Sequence, residues 1–476
     1  MRSNAPLFSC LIEYAQKNKI PFHMPGHKQG RGILNRFKTD LFRIDVTELP
    51  DTDNLHFPEG VIAEAQKLMA EAFGALESFF LVNGSTCGIQ AMIAAVCNPG
   101  DVLIVDRNCH SSVISALILC GVIPRYIYPE YIVETGFVGG IAPVNVKEAI
   151  DRYPEAKGVI ITSPNYYGIC SDVRAIADVV HSYDKLLLVD EAHGAHFYFH
   201  EKLPKGALQC GADLCVQSAH KTLPALTQSS VLHVGSDRVN VNRLKSCLRL
   251  FQSSSPSFIL MAYLDAARCM MVENGRKIFN DLLEYAAEFT NNMNENTNGI
   301  CPGKRLVGKN AVYDVDLSRL VVNFSDCAVS GYHVAEKLNQ QYNIQVEMAD
   351  WKNIICIPSS GNNHDDFQAL EAAIYGILKS NQGIMPKNIV SKYPKAPYKI
   401  PPYEAFYSDS EVIDLRNSTG RIACDTIISF PPGVPVLCPG EAISTDIIEF
   451  ISEIKNAGGK AVGLVNNEGI RVLKFV

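Results

Sequence analysis

The chain has 476 residues, 47% of them hydrophobic and 20% charged, with a net charge of −7. That length allows about three domains, each with a core of its own. The acidic balance argues against nucleic acid or an anionic membrane as the main partner. The 15 cysteines include no CxxC pair. Several (Cys97, Cys120, Cys215, Cys269) stand in apolar or helical stretches, where a thiol packs as a small hydrophobe. This is cysteine usage of a reducing compartment, not of a disulfide framework or a zinc ribbon. No stretch is long and apolar enough to cross a bilayer, and the start lacks an apolar core with a small-residue cleavage site. A cytoplasmic protein is expected.

Residues 1–55 read as an arm, with a short helix (LFSCLIEYAQKN) followed by PFHMPGHKQGRG, whose Gly, Pro and His break regular structure. From residue 56 to 295 helices and apolar strands alternate. Strands are predicted at SFFLVN (78–83), DVLIVD (101–106), IPRYIYP (123–129), GVIITS (158–163), KLLLVD (185–190), ADLCVQ (212–217) and SSVLHVG (229–235). The helices VIAEAQKLMAEAFGA, GIQAMIAAVC, SSVISALILC, NVKEAIDRYP and VRAIADVVHSY fit around and between them, and a long helix follows over 258–295. Apolar runs of this kind between amphipathic helices predict an α/β fold, a mostly parallel seven-stranded sheet covered on both faces. Residues 296–383 read as a smaller β-α-β-α domain. A Pro- and Lys-rich connector leads into a C-terminal α+β domain, the last unit spanning 384–476.

In an open parallel sheet, ligands gather beyond the carboxyl ends of the strands. The segments in that position are NGST, DRNCH, SPNYYG, DEAH and SAHK. NGSTCG (83–88) offers a glycine, two hydroxyls and a helix start, suited to holding a phosphate or simply to capping the helix. There is no GxxxxGK[ST] and no GxGxxG, which removes nucleoside triphosphates and dinucleotides from consideration. VDEAHGAHFYFH (189–200) resembles a helicase acidic box, but no P-loop accompanies it, and its Asp190, His193, His196 and His200 follow no HExxH spacing. A carboxylate ending a buried strand has another use: it keeps a pyridine nitrogen protonated. Lys221, with Ser218 and His220 beside it, follows the strand ADLCV. A desolvated lysine forms a Schiff base with an aldehyde cofactor. Pyridoxal 5'-phosphate needs such a lysine, an acidic partner for its ring nitrogen, a phosphate cradle and a ring stacked on its face. Separate strand ends supply all four.

With PFHMPGHK (21–28), DVTELPDTDNLHFPEG (45–60), DRNCHSS (106–112), QSSSPSF (252–258) and TGRIACDTIISFPPGVPVLCPGE (419–441), these motifs resemble the bacterial ornithine/lysine/arginine decarboxylases, short form, among the fold-type-I pyridoxal-phosphate enzymes. The resemblance runs nearly end to end. It implies decarboxylation of a basic amino acid, arginine or lysine, feeding polyamine synthesis. It also implies that Lys221 carries the cofactor, Asp190 pairs with its ring nitrogen, His110 stacks on the ring and His193 lies near its phenolic oxygen. Ser85, Thr86, Ser218 and His220 would hold the phosphate. Ser254 would reach the phosphate of the neighbouring subunit in a homodimer, or larger oligomer, with active sites at the interface and with the HMPGHK loop contributed across it. A basic substrate side chain calls for an acidic residue, and Glu404, Asp53 and Glu48 are the candidates. An aminotransferase is the rival enzyme, requiring an arginine that anchors the α-carboxylate. A silent homologue that binds cofactor without turnover is the non-enzymatic alternative, against which Lys221, Asp190 and His110 all stand intact.

Overall fold

The computed structural model describes residues 16–17, 19–23, 25–38, 41, 44–49, 52–132, 135–381, 394–430, 433–456 and 458–474. The expected helix at 7–18 lies almost wholly outside these residues, as does most of the connector after residue 381. Seven strands form the central sheet: β1 (Glu77–Leu81), β2 (Val102–Asp106), β3 (Ile123–Ile127), β4 (Gly158–Thr162), β5 (Leu186–Asp190), β6 (Leu214–Gln217) and β7 (Ser230–Val234). Six fall within their predicted apolar runs, and β1 begins one residue before its run, at Glu77. Their spatial order is β1-β7-β6-β5-β4-β2-β3. β7 runs antiparallel to both neighbours, and the pairs from β6 through to β3 are parallel.

The continuous apolar runs are explained by two-sided burial. Along β2, Val102 and Ile104 enter one core while Leu103 and Val105 enter the other, as a side-chain period of two requires. Helices α2 (Gly84–Val96), α3 (Ser111–Cys120) and α6 (Val241–Phe251) cover one face, and α4 (Pro143–Arg152) and α5 (Val173–Ser182) cover the other. A third core joins α1 (Val61–Phe73) and the long α7 (Phe258–Asn296) to the smaller unit. Among the described residues no helix is long and apolar enough to cross a membrane.

The smaller unit departs from a plain β-α-β-α order. Leu320–Asn323, Asn353–Cys356 and Met348–Ala349 make an antiparallel sheet, with helices Gly331–Gln341 and His364–Ser380. Ile344–Val346 pairs instead, in parallel, with Ile20–Phe22 of the N-terminal arm. The C-terminal residues have a separate core, including Leu415, Ile427, Leu437, Ile447, Ile451 and Val472. A buried ion pair ties them to the large sheet. Arg107, next after β2, donates to Glu441 through Nε (3.0 Å) and Nη2 (2.9 Å), and through Nη1 to Pro435 O (2.6 Å). Removing one partner of such a buried pair costs about 3–5 kcal/mol, so this contact fixes where the C-terminal unit meets β2.

Candidate active site

The chemistry-bearing residues converge at the carboxyl ends of the strands. β6 ends at Gln217, and the short helical turn Ala219–Thr222 carries Lys221. Its Nζ lies 3.0 Å from His193 Nε2. Burial lowers the lysine's pKa to about 8, with Asp190 and Glu347 acting to raise it and Arg319 to lower it. Asp190 ends β5 and is 2% exposed. Its Oδ1 accepts from Ala192 N–H at 3.1 Å, and Oδ2 holds no hydrogen bond among the described residues. Burial pushes His193 well below the usual histidine range, reinforced by Lys221, Arg319, His110 and His220. That ring is neutral.

His110 is the N-cap of α3, with Nδ1 accepting from Ser112 N–H at 3.2 Å. Desolvation lowers its pKa, Asp190 raises it and Lys221 lowers it, so the imidazole lies within the field of both. The ring itself remains exposed in the chain alone. At the start of α2, Gly84 takes φ +74°, a left-handed turn that glycine adopts without strain. Asn83 makes no side-chain cap there, so the first N–H groups stay open to an anion. Ser218 Oγ donates to Ser85 Oγ at 2.8 Å. Thr86 is exposed beside Ser85. His220 Nδ1 lies 3.1 Å from Ser229 O, and burial lowers its pKa to about 4, partly offset by that bond.

The other expected residues fall elsewhere. Asp53 lies at the start of α1. Its carboxylate accepts N–H groups of Asn54 (2.8 Å), Glu59 (3.0 Å), Gly60 (2.8 Å) and Ile62 (2.9 Å), and so closes the start of that helix. Glu404 is exposed on the helix Pro402–Tyr407, where it takes the Tyr403 hydroxyl at 3.2 Å. Glu48 keeps one carboxylate oxygen buried without a hydrogen-bond partner among the described residues. Ser254 is exposed on the segment after α6, next to Ser253, whose N–H donates to Asn83 Oδ1 at 3.4 Å. The histidines after Asp190 diverge: His196 Nε2 meets Asp316 at 3.0 Å and His200 Nε2 meets Asn280 at 3.0 Å. The HMPGHK loop makes contacts within its own chain. Gly26 N–H donates to His220 O at 2.7 Å, and Lys28 Nζ donates to Ile357 O at 2.7 Å.

Three residues escaped the sequence reading. Glu347, between the strands Ile344–Val346 and Met348–Ala349, accepts the Tyr166 hydroxyl at 2.7 Å, and its charge acts on Lys221, His220 and Lys28. Tyr166 sets its ring edge-on against His193 at 4.8 Å. Arg319, 6% exposed, donates through Nη1 to Tyr166 O (2.9 Å) and to His193 Nδ1 (3.2 Å). Tyr166 stood in SPNYYG after β4, a signal that was visible. Glu347 and Arg319 come from the smaller unit with no local motif.

Residues 5–318 match the family model described as Orn/Lys/Arg decarboxylase, major domain, and residues 392–467 match the C-terminal domain of the same family. The chain is 38% identical over 463 residues to an arginine decarboxylase of Bacillus anthracis, covering 95% of this chain and 93% of that one. It is 36% identical over 460 residues to an arginine decarboxylase of Bacillus subtilis, covering 95% and 94%. Among solved structures, the Francisella novicida lysine decarboxylase LdcF superposes with a TM-score of 0.79 at 19% identity, over 98% of this chain and 81% of that one. The fold is therefore fold-type-I α/β, as the strand pattern predicts. The chain belongs to the Orn/Lys/Arg decarboxylase family, and it is a decarboxylase.

Proposed function

We propose that the chain holds pyridoxal 5'-phosphate on Lys221 and removes the α-carboxylate of a basic amino acid, arginine before lysine. The observation that carries this reading is Lys221 itself, set just beyond β6 with its Nζ 3.0 Å from His193 Nε2 and within the field of the buried Asp190 carboxylate. The donor set fits the cofactor. The uncapped start of α2 and the Ser85–Ser218 hydroxyl pair suit a phosphate, and the unspent Oδ2 of Asp190 suits a protonated ring nitrogen. Bound there, the cofactor supplies an electron sink for the pair left behind when CO2 departs.

The chain's own residues do the rest. Asp190 would hold a proton on the cofactor's ring nitrogen, and His110 would supply the imidazole that lies on the ring. Lys221 Nζ returns a proton to Cα. Glu347, the acidic residue acting on both Lys221 and Lys28, receives the guanidinium of the substrate. Arg319, the arginine beside Lys221, gives Nη1 to Tyr166 O and to His193 Nδ1. Relatives named arginine decarboxylase at 36–38% identity support arginine as the substrate, with the product amine feeding polyamine synthesis. A homodimer, in which Ser254 reaches the partner's phosphate, completes the reading. Unpaired cysteines throughout the described residues support a cytosolic location.

The test is to load the purified chain with pyridoxal phosphate, reduce it with borohydride and map the pyridoxyl group by mass spectrometry. The group is expected on Lys221. A loaded chain that carries it on another lysine, or on none, would contradict the assignment.

A further inference from the structure

We infer that Arg319 is a positioning residue: through His193 it holds Lys221 as a hydrogen-bond acceptor, ready to bond to a carbonyl. The inference rests on reading Lys221 as the cofactor lysine, and its argument is geometric. A guanidinium only donates. Arg319 Nη1 lies 3.2 Å from His193 Nδ1, so that nitrogen must present its lone pair. The proton of a neutral His193 then sits on Nε2. Nε2 faces Lys221 Nζ at 3.0 Å, and an N–H there needs an acceptor. An ammonium has no lone pair to offer. Only the neutral amine completes the chain.

Arg319 is itself held firmly. Nη1 also donates to Tyr166 O at 2.9 Å, and Nη2 lies 3.5 Å from His193 O. On its other side Asp316 Oδ2 lies 3.8 Å from Nε. Asp316 also takes His196 Nε2 at 3.0 Å, Ser318 N–H at 3.0 Å and Ser318 Oγ at 2.6 Å. With Arg319 6% and Asp316 1% exposed, this arrangement is packed in place. The charged and titratable groups facing His193 are Lys221, Arg319, His110, His220 and the Tyr166 ring. Those facing Lys221 are Asp190 and Glu347, which favour its charged form, Arg319, which opposes it, and the rings of His193, His110 and His220. Arg319 thus works against two carboxylates, and the ordered imidazole is its route to the amine.

The test uses the free chain, without cofactor or substrate. Competitive labelling of Lys221 with acetic anhydride across pH, read by mass spectrometry, gives the fraction of neutral amine. R319M is expected to raise the midpoint by about one pH unit, so that the neutral fraction at neutral pH falls about tenfold. R319K, which keeps a charged donor, is expected to stay within about 0.3 unit of the parent. In an H193F background the R319M shift is expected to shrink to less than about half, because the route through the imidazole is gone. An unchanged midpoint in R319M, or an undiminished shift in the H193F background, would overturn the inference. Should R319M fail to fold, the parent chain still decides: 15N spectra of histidine-labelled protein are expected to show His193, identified by its loss in H193F, with its proton on Nε2. A proton on Nδ1 sinks the inference. Neither readout needs turnover. A chain that labels as expected yet releases no CO2 leaves this inference standing and removes the catalytic reading.

Discussion

Ser218 and Ser85 meet hydroxyl to hydroxyl at 2.8 Å across 133 residues of sequence. The contact joins the end of β6, one step before the Lys221 turn, to the first turn of α2, whose N–H groups lack a side-chain cap. Anchor and cradle are thus built as one unit, although the sheet places β7 between the strands that lead into them.

S218A and S85A test the cradle. A hydrogen bond to a charged group contributes about 1.5–3 kcal/mol, so each variant is expected to weaken pyridoxal-phosphate binding by about 10- to 100-fold in an absorbance titration. Pyridoxal without its phosphate is expected to bind parent and variants alike. Equal losses for both ligands would place the two serines in general packing.

The seven strands and the residues at their ends were legible because parallel strands buried on both faces read as unbroken apolar runs, and the fold class follows from their alternation with helices. Strand order was not legible, since nothing in SSVLHVG marks β7 as antiparallel. Lys221, Asp190, His110 and Ser85, which the structure gathers at the carboxyl ends of the strands, stood out in the sequence because each lies at or just beyond the end of a strand or at the start of a helix. Glu347 and Arg319 were missed because they reach Lys221 only when the smaller unit folds onto the sheet. The capping role of Asp53 was not legible because the N–H groups it closes lie up to ten residues further on, beyond the reach of a capping pattern.

Glu347 and Asp53 are expected to separate cleanly. E347Q raises KM for arginine by about 10- to 100-fold, the loss of a charge-assisted contact, with a smaller change in kcat. D53N lowers the unfolding temperature, with a capping loss of about 0.5–2 kcal/mol, and leaves KM within about twofold. Steady-state kinetics beside thermal unfolding distinguish the two. A KM effect confined to D53N would reverse the assignment.

Gly26 lies against backbone, so no side chain can give way there. An added Cβ would meet Leu223 O at 2.4 Å, and G26A must lift the HMPGHK loop from the Lys221 turn. Overpacking of this kind costs about 1–3 kcal/mol. The expected readouts are a lower unfolding temperature and faster limited proteolysis within residues 20–38. A variant as protease-resistant as the parent would mean that the loop is not held by this contact.

Lys28 gives a pH prediction of definite sign. Burial lowers its pKa from 10.5 to about 7, with Glu347 acting against that shift. Between those values the unfolded chain binds a proton that the folded chain does not, so stability rises with pH across the window. The slope reaches at most about 1.4 kcal/mol per pH unit. Below the folded pKa both states are protonated and the penalty is constant. K28M is expected to flatten this part of the profile in denaturant-midpoint measurements between about pH 7 and 8. Lys221, lowered to about 8, contributes in the same sense at higher pH, so the slope there persists. An unchanged slope in K28M between about pH 7 and 8 would place that proton uptake on another group.

The most direct test of the account is CO2 release by the pyridoxal-phosphate-loaded chain from arginine, lysine and ornithine, with K221A beside it. The account predicts release from a basic amino acid, arginine foremost, and none in K221A. No release from any of the three by a chain that carries the pyridoxyl group on Lys221 would contradict it.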